Sequence, residues 1–413
     1  MKTALIIFVI TYALISVRGG KRIKISRSNA ALLGGVAMIL FGVVSLTSAF
    51  ESINFNLIFL LLGMMSLAIG LEYCGLFEII SNRVTSKVPP GPKLLAVVMA
   101  LSAMFAALIM NDATALLLTP VVIRACMSLD ADPLPYLMGT MMGANIGSLS
   151  TAVGNPKNAF IVSESGISFI DFTLHQLPIV LISLPIVFFI LAMVFRKRLK
   201  AKVITENNDD EVLNLDKTRL IFLSIVSIFT FIGFILSSML GISLCIPAVI
   251  AGLISVAVIL SKDRKRTKWI IHKIDWHIPV FFIGLFILMD GVATSGLLDK
   301  IADLIPGFGP GEIPSYAATS ALVLLLANLI SNLPAIVLII NIVPQTDMFF
   351  YTLSASATLA GNATLLGSAC NIIVSEKAAA KGIDINFWKH MSIGIPVTFI
   401  TIAIQLLVHS VIF

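Results

Sequence analysis

Asparagine, threonine and one lysine carry the chemistry available to this chain, and they lie inside apolar runs. The stretch "ALIMNDATALLLTPVV" sets Asn111, Asp112 and Thr114 between aliphatic residues. "GANIGSLSTAVGNPKN" follows with Asn145, Thr151, Gly154, Asn155, Lys157 and Asn158. Far downstream, "SNLPAIV" holds Ser331 and Asn332, and "GNATLLGSACNIIVSE" holds Asn362, Thr364, Gly367 and Asn371. Polar groups in a low-dielectric setting are costly unless something uses them. Carboxamide and hydroxyl oxygens suit Na⁺, which places a Na⁺ site near Asn111, Thr151, Asn332 and Thr364. Amide donors and helix N-termini suit an anion.

Lys157 is the one Lys or Arg well within a predicted crossing. It either pairs with Asp112, neutralising both, or faces a cavity and attracts an anion. Asp112 and Asp290, the latter in "LMDGVATSG", are embedded acids. With Lys157 they are the coupling candidates, the alternative being buried ion pairing alone. No acid–base or nucleophile constellation and no nucleotide-binding loop is present, so neither an enzyme nor a self-sufficient ATP-driven pump is expected. A separate ATPase subunit stays open. Five scattered histidines and four scattered cysteines give no metal or disulfide framework, so no cofactor beyond a coupling Na⁺ or H⁺ is expected.

The elements that must position these groups are membrane helices. Of 413 residues 58% are hydrophobic and 12% charged, with a mean hydropathy of +1.02, outside soluble usage. A helical crossing takes roughly 20 apolar residues, and period-2 patterning for a membrane barrel is missing. Crossings are expected at 3–17, 31–50, 55–78, 135–168, 172–195, 219–239, 243–260, 276–298, 350–376 and 388–412. Residues 3–17 lack a signal-peptide cleavage site and are followed by the heavier positive charge, so they read as a retained first helix. Loops 18–30, 79–93, 196–219, 261–275 and 376–390 hold 24 of the 28 Lys and Arg residues. The positive-inside rule then puts both termini outside the cytoplasmic (inner) membrane. Basic residues that orient helices are no sign of nucleic acid.

Segments 92–127 and 314–345 are either pairs of short crossings or re-entrant hairpins. Halves of about 17 residues reach roughly 26 Å as helix, and the polar residues at their middle favour hairpins. The chain also repeats itself. "GMMSLAIGLEYCGLFE" (63–78) overlays "GLFILMDGVATSGLLD" (284–299) at an offset of 221, which carries Asn111 onto Asn332. "TAVGNPKN" (151–158) matches "TLLGSACN" (364–371) at an offset of 213. Gly154 and Pro156 are expected helix breakers, through unusual φ and a missing donor. The expected fold is an all-α polytopic membrane protein with about 10 transmembrane helices and two re-entrant hairpins. Each half holds five crossings and one hairpin, so the second runs inverted, as in secondary transporters with broken helices near the midplane. The first inverted repeat is 1–198 (hairpin 92–127, broken helix 135–168), the cytoplasmic linker 199–218, and the second repeat 219–413 (hairpin 314–345, broken helix 350–376).

These motifs, in this order over nearly the whole chain, resemble the ion-transporter superfamily. It includes arsenite pumps of the ArsB/NhaD group and divalent-anion/sodium symporters of the citrate and dicarboxylate type. The resemblance implies a homodimer, a scaffold part, a moving part with two hairpins, and elevator-type alternating access. It also implies that Asn111, Asn332 and Ser331 match hairpin-tip residues that bind Na⁺ and substrate carboxylate in the dicarboxylate carriers. The threonines of that motif do not both carry over, and Asp112 looks more like the arsenite-pump and antiporter side. The leading expectation is a secondary transporter of a small anion or oxyanion, coupled to H⁺ or Na⁺. A NhaD-like Na⁺/H⁺ antiporter and an arsenite efflux permease are the alternatives, and an ion channel is a different class marked by conductance.

Overall fold

The computed structural model describes residues 1–16, 26–200, 216–262, 266–296, 313–330 and 332–412. Ser331 and most of the linker 199–218 lie outside the described residues. Helices dominate because a helix satisfies its backbone polar groups within one segment, as a hydrocarbon surrounding requires. The first half runs α1 (Lys2–Ser16), α2 (Arg27–Leu40), α3 (Leu46–Glu51), α4 (Phe55–Tyr73), α5 (Leu76–Lys87), α6 (Pro92–Ile109), α7 (Asn111–Ser128), α8 (Pro133–Ser148), α9 (Pro156–Ser165) and α10 (Phe169–Val194). The second runs α11 (Lys217–Leu240), α12 (Cys245–Lys262), α13 (Thr267–Lys273), α14 (His277–Thr294), α15 (Ile313–Ile330), α16 (Asn332–Ile339), α17 (Asp347–Ala360), α18 (Ala369–Ala379) and α19 (Phe387–Ile412). Among the described residues seven helices (α4, α6, α10, α11, α12, α14 and α19) are long and apolar enough to cross a membrane. The chain is a multi-pass membrane protein.

Local chemistry moves some expected boundaries. The expected crossing 31–50 is bent, because α2 stops before Gly42 at φ 68 and Ser45 caps a new helix, α3. The expected crossing 55–78 ends at Tyr73; Gly75, at φ 89, turns the chain into α5. The arms of the first helix pair have 18 residues each, a little longer than expected, and α6 by itself meets the length of a crossing.

Two close helix crossings brace the molecule. On α4 against α12, a Cβ added at Gly252 would fall 2.9 Å from the Gly63 Cα. On α2 against α14, a Cβ at Gly35 would fall 2.8 Å from the Gly284 carbonyl oxygen. Small residues let helix backbones approach this closely where no hydrophobic force drives association. Gly63 and Gly284 are the residues the 221-residue offset overlays, so one contact is built twice. Outward-facing Leu181, Phe189, Phe229 and Leu253 are exposed, as lipid-facing side chains would be.

Candidate functional site

The turn between α6 and α7 is one residue, Met110, at φ 76 and ψ 145. A non-glycine residue at positive φ is strained and persists only where its surroundings hold it. The interruption between α8 and α9 does so. The Asn111 N–H donates to the Gly154 carbonyl at 2.8 Å, and the Thr151 hydroxyl to the Ala107 carbonyl at 2.7 Å. The Thr114 hydroxyl turns back on the Met110 carbonyl within its own helix. In the second half the Thr364 hydroxyl donates to Asn328 Oδ1 at 3.0 Å, and Asn328 is the 221-offset counterpart of Ala107.

The two interruptions, 149–155 and 361–368, are folded by equivalent asparagines. Asn158 Nδ2 donates to the Ser148 and Thr151 carbonyls, both at 3.0 Å. Asn371 Nδ2 donates to the Gly361 and Thr364 carbonyls at 2.8 and 3.1 Å. These acceptors correspond at the 213-residue offset. Each interruption also bonds the helix that leads into the other. Asn158 Oδ1 accepts from Ser354 and Thr358, while Asn371 Oδ1 accepts from Asn145 Nδ2 at 2.9 Å. Pro156 opens α9, where its missing N–H is no loss. Gly154 departs from expectation: its φ is not in the left-handed region, and it is glycine because a Cβ would run into the Ser148 carbonyl.

Asn145 is the hub. Its Nδ2 donates to Asn362 Oδ1 and Asn371 Oδ1, and its Oδ1 accepts from Asn111 Nδ2 and Ser368 Oγ. That uses the full capacity of a carboxamide. Asn111 Oδ1 and Asn332 Oδ1, by contrast, are buried without a partner.

The two residues line a cavity of about 330 Å³. Six helices begin at its wall: Arg27 of α2, Asn111 of α7, Pro156 of α9, His277 of α14, Asn332 of α16 and Ala369 of α18. Helix N-termini present unsatisfied N–H groups and the positive end of the macrodipole. Asp112, Asn155, Lys157, Gly367 and Ser368 complete much of the lining. Lys157 is 6% exposed, and its Nζ donates to the Ala357 carbonyl at 3.4 Å. Among the described residues no carboxylate lies within ion-pair distance of it. Asp112 shares its field, with the Cys370 amide against the carboxyl.

The expected residues thus separate into two shells. Asn111, Asp112, Asn155, Lys157, Asn332 and Gly367 line the cavity, whereas Thr114, Asn145, Thr151, Gly154, Asn158, Asn362, Thr364 and Asn371 do not. Asp290 stands apart, its carboxylate accepting from Ser48 Oγ at 2.7 Å. Sequence reasoning missed the opposite wall, where Ser28 Oγ meets His277 Nδ1 at 2.9 Å beside Arg27 and Phe281. It also missed Ser368, although the 213-residue offset sets it opposite Asn155. Among the described residues no cluster of three or more His, Cys, Asp or Glu could hold a metal ion.

Comparison with known proteins agrees with this architecture. The chain is 28% identical to the "46 kDa membrane protein" of Mycobacterium leprae, covering 97% of this chain and 96% of that one. It is 27% identical to the silicon efflux transporter LSI3 of Oryza sativa subsp. japonica, covering 92% of each. Its fold matches the crystal structure of the YdaH transporter of Alcanivorax borkumensis at a TM-score of 0.59 and 13% identity, over 99% of this chain and 98% of that chain. Residues 6–348 match the citrate transporter family CitMHS, and with most of its length inside that match the chain belongs to this family of membrane transporters.

Proposed function

We propose that the chain is a secondary active transporter of a small anion or oxyanion. The convergence of six helix N-termini on one cavity carries this reading, because it brings the positive ends of several macrodipoles to one wall. Lys157 and Arg27 add cationic side chains to the same wall. The unpartnered oxygens of Asn111 and Asn332 can accept from a protonated oxyanion or coordinate Na⁺, so coupling runs through H⁺ or Na⁺. The hydrogen-bond patterns that recur at the 213-residue offset support two inverted repeats. The partition into α2/α14 and α4/α12 on one side, and helix pairs with interrupted helices on the other, supports elevator-type alternating access; the homodimer is what the family resemblance implies. Exposed His277 sits at the mouth of the cavity, beside the start of α2. Both helix starts follow the basic loops expected inside, which supports an inward-open state and is in keeping with both termini outside.

A second reading is efflux of a neutral weak acid, in the manner of arsenite. Two carboxamide oxygens without partners favour it, since hydroxyl groups would donate to them, and LSI3 bears the name of a silicon efflux transporter. A Na⁺/H⁺ antiporter draws its support from Asp112 at the same wall.

Purified protein in liposomes separates these readings. Citrate, phosphate, sulfate and arsenite are each tested with and without Na⁺ and across a pH step, by charge movement and by direct uptake. An anion carrier gives uptake of one charged solute, and K157Q raises the solute concentration for half-maximal rate about tenfold or more, the equivalent of one lost charge-assisted hydrogen bond. Uptake of arsenite alone, unaffected by K157Q, would replace the anion with a neutral acid. Na⁺-driven proton movement with no solute required would establish the antiporter.

A further inference from the structure

His390 lies on α19, 1% exposed, away from the cavity wall. Its Nε2 is 3.2 Å from the Asn362 carbonyl oxygen, as a donor in the neutral Nε2–H tautomer. The contact is held tightly, because a Cβ at Gly394, one turn along α19, would run into that same carbonyl. From Asn362 a chain of hydrogen bonds continues to the site. Asn145 Nδ2 donates to Asn362 Oδ1 at 3.0 Å, and Asn145 Oδ1 accepts from Asn111 and Ser368, both on the cavity wall. Two buried atoms on this route have no partner, His390 Nδ1 and Asn362 Nδ2. His390 also borders a separate cavity of about 10 Å³, on the order of the space one water needs.

We propose that His390 is a proton-binding site wired to the anion cavity through Asn362 and Asn145, so that a proton and the anion bind cooperatively. This rests on the anion reading of the cavity. Protonation at Nδ1 places a positive charge on the imidazole while Nε2–H keeps its bond to Asn362. Several of the groups packed around it are apolar: Leu134 and Met138 of α8, Phe195 after α10, and Ile385 before α19. Lys389 is the other ionisable residue lining the small cavity, its Nζ drawn over the Phe195 ring, and Asn386 is neutral. No carboxylate among them neutralises an imidazolium, and under this proposal that role falls to the anion in the main cavity, connected through Asn362 and Asn145. Linkage is reciprocal: the anion favours the proton as much as the proton favours the anion.

Calorimetry of the purified protein with citrate, phosphate and sulfate in turn tests this, in buffers of different ionisation enthalpy between about pH 4 and 8, a range that reaches well to the acid side of free histidine. Wild-type protein should take up a proton on binding one of these anions, and its affinity should rise at least about fivefold toward the acid end. H390Q keeps a donor for the Asn362 carbonyl but cannot titrate. It should bind the anion with no proton uptake from this site and a flattened pH profile. H409Q, which removes the other buried histidine of α19, should leave the uptake intact. Wild-type binding with no proton uptake overturns the inference even if H390Q does not fold. Undiminished uptake in H390Q overturns it too, while leaving the anion reading standing. Failure of wild type to bind any of the three anions overturns the anion reading, and this inference with it.

Discussion

At the residue scale, asparagines of one chemical type do opposite work, and substitution separates them. Asn145 has both donors and its acceptor committed to buried partners, so N145A strands Asn362 Oδ1, Asn371 Oδ1, Ser368 Oγ and Asn111 Nδ2. Each stranded buried group costs about 1–3 kcal/mol, and N145A should lower the apparent melting temperature of the detergent-purified protein by several degrees or prevent its isolation. Asn332 Oδ1 and Asn111 Oδ1 are buried without a partner, and under the proposed anion reading they meet the solute. N332A should therefore melt within a few degrees of wild type and yet lose transport, and N111A should behave alike apart from its single bond to Asn145. Paired melting curves and uptake assays check the contrast; equal loss of stability in N145A and N332A would make both structural. These asparagines were legible in the sequence because an amide inside an apolar run is conspicuous. Which of them face solute was not legible, since Asn155 and Asn158 sit one helical turn apart and only the first lines the cavity.

At the element scale, the interruptions, the one-residue turn at Met110 and the glycine crossings set where each helix starts. The interruptions were legible from Gly154-Asn155-Pro156 and the matching Thr-x-x-Gly, although Gly154 turned out to serve close approach. The bend at Gly42 was hidden in a run without a charge, and the meeting of six helix starts is a tertiary fact that no local pattern carries. Gly284 packs its Cα face on the Ala31–Leu32 backbone of α2. G284L should force that crossing apart and cost on the order of 1–3 kcal/mol, seen as lower thermal stability and reduced yield; wild-type melting would refute the close packing. On the aqueous side, Asp216 caps α11 and its carboxylate meets Arg219 at 2.6 Å and Lys262 at 3.6 Å. The Arg219 hydrogen bond holds this carboxyl below its ordinary value. A depressed carboxylate contributes stability at neutral pH and loses it as pH falls through the folded-state value. D216N should remove that part of the acid sensitivity, which melting curves from neutral pH down to about pH 3 can resolve around the free aspartate value.

At the scale of the whole molecule, the cavity is a seam. One wall belongs to α2 and α14, clamped together through Gly35 and Gly284, and the other to the tips of two helix pairs and two interrupted helices. Among the described residues few bonds cross it: the Tyr12 hydroxyl donates to the Pro334 carbonyl at 3.0 Å, but Ser28 bonds His277 on its own side, and Asn111 and Ser368 bond Asn145 on theirs. A seam bonded within each wall and little across it is the place for one rigid body to slide along another. Hinge-like opening of a gate would instead break bonds inside a wall. Elevator motion predicts that both sides of the moving wall change exposure together. In a background with the four native cysteines replaced, S368C and L333C, both on the cavity lining, should react with a membrane-impermeant thiol reagent from the cytoplasmic face of inside-out vesicles. Under a solute gradient that favours the opposite state, both should lose that reactivity in parallel and gain it from the other face, while S28C on the static wall keeps its cytoplasmic labelling. Protection of L333C without S368C would mean that the second helix pair moves as a gate on its own. Parallel switching of all three would mean that the whole protein tilts, and the division into a fixed and a moving body would fall.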